Sequence, residues 1–272
     1  RRRECCAVQF GFPYVDTLKV LQKFGAGGHF FSTGSANELD RLERLLQYER
    51  ISGVFTELPS NPLLLSPDLL RLARSCFHHE VPLVVDDTVA TWVNCDLLTV
   101  ADVLCTSLTK SFSGEGDVAG GSVVINPRSR FAEELTAGLA RVHEDLLCGA
   151  DAEVLERNSR DFVKRVPATC RAAERIAEHL RRHPMVAAVC YPKFQATGHY
   201  ERFRLHGAGY TSLLSVVLKN GHRTAPVFFD ALQVSKGPNF GTRYALACPY
   251  TILAHYHELG FVESCGAPPH LV

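Results

Sequence analysis

Apolar positions in the first half of the chain alternate between a period near 3.6 and short unbroken runs. Thr17, Leu18, Val20, Leu21 and Phe24 have helical spacing, and Gly25 stands where such a helix would stop. Ser35-Ala36-Asn37-Glu38 reads as a capping box, in which a hydroxyl and a carboxylate satisfy the free amides of a first helical turn; Leu39, Leu42, Leu45 and Leu46 follow on one face. Ser66-Pro67-Asp68 opens a third helix, with proline in its first turn and Leu69, Leu72, Ala73 and Cys76 turned inward. Between the helices lie short apolar strands: residues 53–55 running into Glu57, 82–85 ending at Asp86, 103–106, and 122–125. Strands that are apolar on both faces and separated by helices predict a parallel sheet, whose ligands gather at the carboxyl ends of the strands. Glu57, Asn61, Asp86, Ser107 and Lys110 all lie just past such ends.

The pattern changes near residues 153–161. The stretch VLERNSRDFVKRV is charged all round except at Val154, Leu155, Phe162 and Val166, which predicts a helix connecting two domains. Beyond it come a helix over 169–182, strands over 186–191 and 213–218, and a helix over 225–232, which together make a smaller α+β unit. The expected division is a large α/β domain over 1–155 and a C-terminal domain over 156–272. No internal repeat or low-complexity segment is present.

Two strand ends carry the chemistry. Val84-Val85-Asp86-Asp87-Thr88 supplies an acid, and 24 residues downstream of Asp86 the run Thr106-Ser107-Leu108-Thr109-Lys110 supplies a lysine behind hydroxyls. Pyridoxal 5'-phosphate (PLP) needs an amine to bond with its aldehyde and a carboxylate to keep its pyridine nitrogen protonated, so that the ring accepts electrons. It also needs hydroxyl or backbone donors for its phosphate. Lys110, Asp86 and the pair Ser107/Thr109 fit those roles; Thr88 could pack against the ring. Singly, each has an ordinary use, because a loop lysine is usually solvated and a strand-end aspartate usually caps a turn. Their joint spacing favours the cofactor reading. The glycine-rich run 114–121 follows the lysine and leads into a strand, the wrong context for a dinucleotide fingerprint. His255/His257 and His78-His79 lack the further ligands a metal needs and read as structural.

The stretch VVDDTVATWVNCDLLTVADVLCTSLTKSFSGEGDVAGGSVVINP resembles the cofactor-binding segment of the cystathionine γ-synthase-like, Cys/Met-metabolism PLP enzymes, with Asp87 for the usual Asn and Thr106-Ser107 for His-Ser. Phe10-Gly11-Phe12-Pro13-Tyr14 stands at the place of a YGGTY-like motif, Glu57-Leu58-Pro59-Ser60-Asn61-Pro62 at that of ExPSNP, and SKGPNFGTRYALACPYTILAHY at that of the SLGG…HPATMTH region. The resemblance covers nearly the whole chain, and GFPYVDTLKVLQKFG with ERNSRDF is most similar to the fungal-type branch.

It implies a PLP-dependent transferase of fold type I, with a mostly parallel sheet flanked by helices and a smaller α+β C-terminal domain. It implies that Phe10 takes the place of a tyrosine stacked on the pyridine ring, without its phenol, and that Asn61 lies near the cofactor's phenolate oxygen and the substrate carboxylate. Asn239 falls near a substrate-facing serine, and Tyr14 could supply a hydroxyl. Lys110 would be both the cofactor's anchor and the base that moves the substrate Cα proton. The implied reaction is γ-replacement on an activated homoserine ester by a thiol, as in trans-sulfuration and methionine biosynthesis, in a cytoplasmic homotetramer built from dimers. Related γ- or β-lyases and specialised-metabolism γ-substitution enzymes share the signature, and a non-catalytic remnant of the fold is the rival. The chain begins Arg1-Arg2-Arg3 and stops at Leu271-Val272, short of the family's phosphate turn and of its carboxylate-gripping arginine. The expectation is therefore a fragment, with residues 1–272 alone catalytically silent.

Composition narrows the partners. Twenty-nine basic residues balance twenty-nine acidic ones, which leaves no electrostatic footprint for nucleic acid or an anionic membrane. No apolar run approaches the roughly 20 residues of a membrane helix. The ten cysteines are scattered without a CxxC pair, which reads as reduced thiols.

Overall fold

The computed structural model describes residues 5–272, so the leading arginines lie outside the described residues. Along the first half run β1 (Cys6–Phe10), α1 (Val15–Phe24), β2 (Gly28–Phe31), α2 (Ala36–Tyr48), β3 (Ile51–Glu57), α3 (Leu69–His78), β4 (Leu83–Asp86), β5 (Val103–Ser107) and β6 (Gly121–Ile125). These strands form one six-stranded sheet in the order β2-β1-β3-β4-β5-β6. All neighbours pair parallel except β6, which runs antiparallel to β5. The expected parallel sheet is thus mixed at one edge, because β5 and β6 are joined by the loop that carries Lys110 and not by a crossover helix long enough to reverse the chain.

The middle strands bury one face, and the other is buried or half-buried. Val8, Val54 and Val85 are fully buried, with Leu39 and Leu42 of α2 and Leu69 and Leu72 of α3 packed in the same core. Each such side chain contributes about 1.5–3 kcal/mol by leaving water. The box expected at α2 is built differently: Ser35 makes no side-chain cap bond, and Glu38 instead accepts from the Thr33 and Gly34 amides, both at 2.8 Å. At α3 the cap is Asp68, which accepts from the Arg71 amide at 3.1 Å.

The second half contains α4 (Ala132–Val142), α5 (Gly149–Ser159), α6 (Phe162–Arg181), an antiparallel pair β7 (Val186–Cys190) and β8 (Ser215–Leu218), and α7 (Gly221–Ala231). It ends with the two-residue strands β9 (Ser235–Lys236) and β10 (Leu246–Ala247), then α8 (Tyr250–His255) and α9 (Leu259–Ser264). The expected connector over 154–166 is divided between α5 and α6, which meet at Arg160-Asp161, and the expected boundary at 155/156 falls within α5. The halves interleave: Tyr200 and Phe203 complete the first sheet's core, and Val262 packs with Phe12. Among the described residues no helix is long and apolar enough to cross a membrane.

Candidate active site

Parallel register brings three strand ends side by side. Glu57 of β3 pairs with Asp86 of β4, and Asp86 with Cys105 of β5, so that Ser107 follows at the same edge. Their side chains open on a cavity of about 640 Å³ that is also lined by Tyr14, Asn61, Thr88, Thr109 and Lys110. That volume suits a cofactor with a small substrate. Of the residues expected at the site, Asn61, Asp86, Ser107, Thr109 and Lys110 are therefore gathered on one cavity. Phe10 is not among the residues that line it. It is fully buried in the sheet's core, 6.1 Å from the ring of Phe31, because its position at the end of β1 points the side chain into the layer beneath. The aromatic that does reach the cavity from this segment is Tyr14, at the N-terminus of α1.

Lys110 sits at a kink in the turn Leu108–Phe112, with dihedrals outside the helical region (φ −85°, ψ −125°). Its Nζ donates to Asn239 Oδ1 at 2.7 Å and lies 5.1 Å from the ring of Phe240. Burial holds its pKa below the usual lysine value, which favours the free amine. The turn is held from both sides. Gly120 accepts the Leu108 amide at 2.9 Å, and its own amide donates to Thr109 Oγ1 at 3.1 Å. Behind the turn, the buried guanidinium of Arg165 on α6 donates to the carbonyls of Ser111 (2.7 Å), Phe112 (3.1 Å), Ser113 (3.2 Å) and Asn158 (3.3 Å). Gly241, at φ +78°, comes so close that a Cβ there would meet the Ser111 nitrogen at 2.4 Å.

The acids are unusual in their burial. Asp86 accepts the Thr88 amide at 2.8 Å, and burial raises its carboxyl above the usual aspartate range against the pull of that bond. Glu57 is raised well above its usual value by burial and then by the charge of Asp86, while the amides of Tyr14 (2.5 Å) and Asn61 (3.2 Å) pull it back. Two like charges on adjacent strand ends cannot both ionise cheaply. Asp87 points away from the cavity, receives the Thr106 hydroxyl, and is pushed up to about 6 by burial. Among the described residues no basic side chain forms a salt bridge with Asp86, so a buried carboxylate faces the cavity in want of a cationic partner. A protonated pyridine nitrogen is such a partner, and the half-buried Lys110 amine on the same cavity is what an aldehyde requires; the residues present fit PLP.

Residues 10–256 match the model of the Cys/Met metabolism PLP-dependent enzymes. The chain belongs to that family. It is 44% identical to the cystathionine gamma-synthase of Neurospora crassa over 98% of its length and 38% identical to that of Saccharomyces cerevisiae over 97%, while spanning 43% of each. Among solved structures it is similar to cystathionine gamma-lyase from Lactobacillus plantarum (TM-score 0.83, 20% identity, 98% of this chain and 71% of that one). It is equally similar to cystathionine gamma synthase from Xanthomonas oryzae (0.83, 24%, 97% and 69%). These likenesses fix the fold as that of PLP-dependent Cys/Met metabolism enzymes. The chain spans about half the length of the curated relatives it matches.

Tertiary contacts with Arg165 and the tie from Glu57 to Tyr14 were not legible in the sequence. The first joins residues 54 positions apart and the second residues 43 apart, with no local pattern to mark either.

Proposed function

We propose that this cavity binds PLP and that the whole protein carries out γ-replacement on an activated homoserine ester with a thiol nucleophile, in the manner of a cystathionine γ-synthase. The observation that carries the reading is the half-buried Lys110 amine opening, with the buried Asp86 carboxylate, on one cavity at the strand ends. When bound, PLP supplies the electron sink that makes the substrate's Cα and Cβ protons removable and its γ-ester expellable. Asp86 would hold the proton on the ring nitrogen. Lys110, its pKa lowered by burial, would bind the cofactor and then take and return the proton at the substrate's Cα. Ser107 and Thr109 would hold the phosphate, and Asn61 would orient the substrate carboxylate. The apolar side of the cavity, with Ile176, Leu180, Val216 and Phe228, would keep water from the reacting carbons. On the family resemblance we also propose a cytoplasmic homo-oligomer built as a dimer of dimers.

Treating the protein with PLP and borohydride, then mapping the peptides, tests the site. The label is expected on the peptide containing TSLTK, and Lys110→Ala should abolish it. Recovery on Lys164 or Lys236 would overturn the assignment. With labelling in hand, the longer gene product is supplied with O-acyl-homoserine and cysteine; cystathionine is the expected product. Release of a keto acid without uptake of cysteine would make it a lyase instead.

A further inference from the structure

Glu57 has no part in the roles above, yet it lies at the centre of the polar wall. It ends β3, is 7% exposed, stands in register with Asp86 and lines the same cavity. Its two carboxylate oxygens are divided between two segments that approach from opposite directions. Oε1 accepts the amide of Tyr14, the residue that caps α1, at 2.5 Å; Oε2 accepts the amide of Asn61, in the turn that follows β3, at 3.2 Å. Both of those residues put side chains into the cavity. The neighbouring amide of Leu58 donates to the Asp86 carbonyl at 3.1 Å, so the turn is fixed to β4 at its root and to Glu57 at its tip.

We propose that Glu57 is the positioning residue of the site: its buried carboxylate joins the start of α1 to the turn carrying Asn61 and so sets where Tyr14 and Asn61 meet the cofactor. The proposal rests on the reading of the cavity as a PLP site for its consequence, but not for its geometry. A carboxyl group is suited to the task because each of its two oxygens can accept from a separate donor. A carboxamide of the same shape has one acceptor oxygen and must release one of the two segments.

The test has two arms. In the protein without PLP, amide hydrogen exchange is compared between wild type and Glu57→Gln. The amide of Tyr14 or of Asn61 should exchange about tenfold faster, the effect of losing one hydrogen bond, while amides within β3 and β4 stay as they were. Glu57→Asp keeps both carboxyl oxygens but draws them back by a methylene, and should loosen the same amides if the glutamine variant does not fold. Unchanged exchange at both positions, or loosening throughout the sheet, would overturn the proposal.

In the second arm, PLP affinity is read from its visible absorbance. Glu57→Gln should weaken binding by about tenfold, and Tyr14→Ala/Asn61→Ala should weaken it comparably. Adding Glu57→Gln to that pair should do nothing more, because a residue that acts by placing two side chains has nothing left to place. A further tenfold loss in the triple variant would assign Glu57 a contact of its own and sink the positioning role. If the wild type binds no PLP, the cofactor reading fails and the exchange arm alone decides.

Discussion

On one side of the cavity Glu57, Asp86 and Ser107 end three strands of a sheet whose register is fixed residue by residue; on the other, residues 238–245 loop between two-residue strands and meet the first side through a few side chains. Among these contacts are Asn239 on Lys110, Phe240 beside the Lys110 amine, Arg243 on Glu115 at 2.5 Å, and the close approach of Gly241 to Ser111. The costly groups are all on the first side. Three carboxyls, Glu57, Asp86 and Asp87, are buried there and raised in pKa by that burial. A backbone already committed to a ladder can hold such groups without further ordering, and a loop cannot. The ordered wall therefore carries the buried acids, and the loop wall supplies an ion pair and hydrogen bonds that can be made and released.

Arg165 is part of neither wall but anchors the turn of Lys110 to α6. Arg165→Met would leave the carbonyls of Ser111, Phe112 and Ser113 without their donor in a buried place. Each such orphan costs about 1–3 kcal/mol, and we expect urea denaturation to show a loss of about 3 kcal/mol or more. Arg165→Lys should recover less than half of it, because an ammonium cannot reach diverging carbonyls as a planar guanidinium does. Full recovery by lysine would mean that charge alone, and not the fork, holds the turn.

A somewhat smaller effect should expose what the sheet wall bears. Burial pushes the Asp87 carboxyl from 3.8 up to about 6. Below the unfolded value both states hold the proton and nothing is lost. As pH rises between about 4 and 6 the unfolded chain releases its proton while the folded one retains it, so stability falls, and the penalty is complete above about 6. Two pKa units correspond to about 3 kcal/mol. Asp87→Asn keeps an oxygen to accept the Thr106 hydroxyl and removes the charge. It should stabilise the protein by about 2–3 kcal/mol at pH 7 and by almost nothing at pH 3.5. An equal gain at both pH values would assign the effect to packing.

These two residues also mark how far sequence reaches. Apolar runs and helical spacing placed α1, α2, α3 and the strands β3 to β6 to within a few positions, because packing in this half follows period and strand length. The strands β1 and β2 escaped, since CAVQF carries a buried Gln9 and GHFF is four residues long beside a helix signal. The cavity's strand-end residues were legible from the acid and the lysine behind hydroxyls. Phe10 lies off the cavity wall, since a motif gives the position along the chain and not the face of the strand, and one residue's difference reverses the face. The bonds of Arg165 to Ser111 and of Glu57 to Tyr14 reach backbone atoms far off in sequence, and no spacing rule encodes such contacts.

The smallest expected effect concerns the point where the two walls touch. Asn239 Oδ1 accepts from the Lys110 ammonium at 2.7 Å, an interaction that favours the charged form and opposes the burial that lowers the lysine's pKa. Removing the acceptor in Asn239→Ala should lower that pKa further and raise the fraction of free amine at pH 8. Replacing it with a carboxylate in Asn239→Asp should do the reverse. The site is half open to solvent, so each change should be modest, about threefold in the rate at which an acylating reagent modifies Lys110 in the protein without PLP. The order expected is alanine fastest, asparagine between, aspartate slowest, with Phe240 unchanged beside the amine in all three. The reverse order would mean that the loop wall acts on Lys110 by controlling access to it, and equal rates would mean that the loop holds its place without touching the lysine's charge.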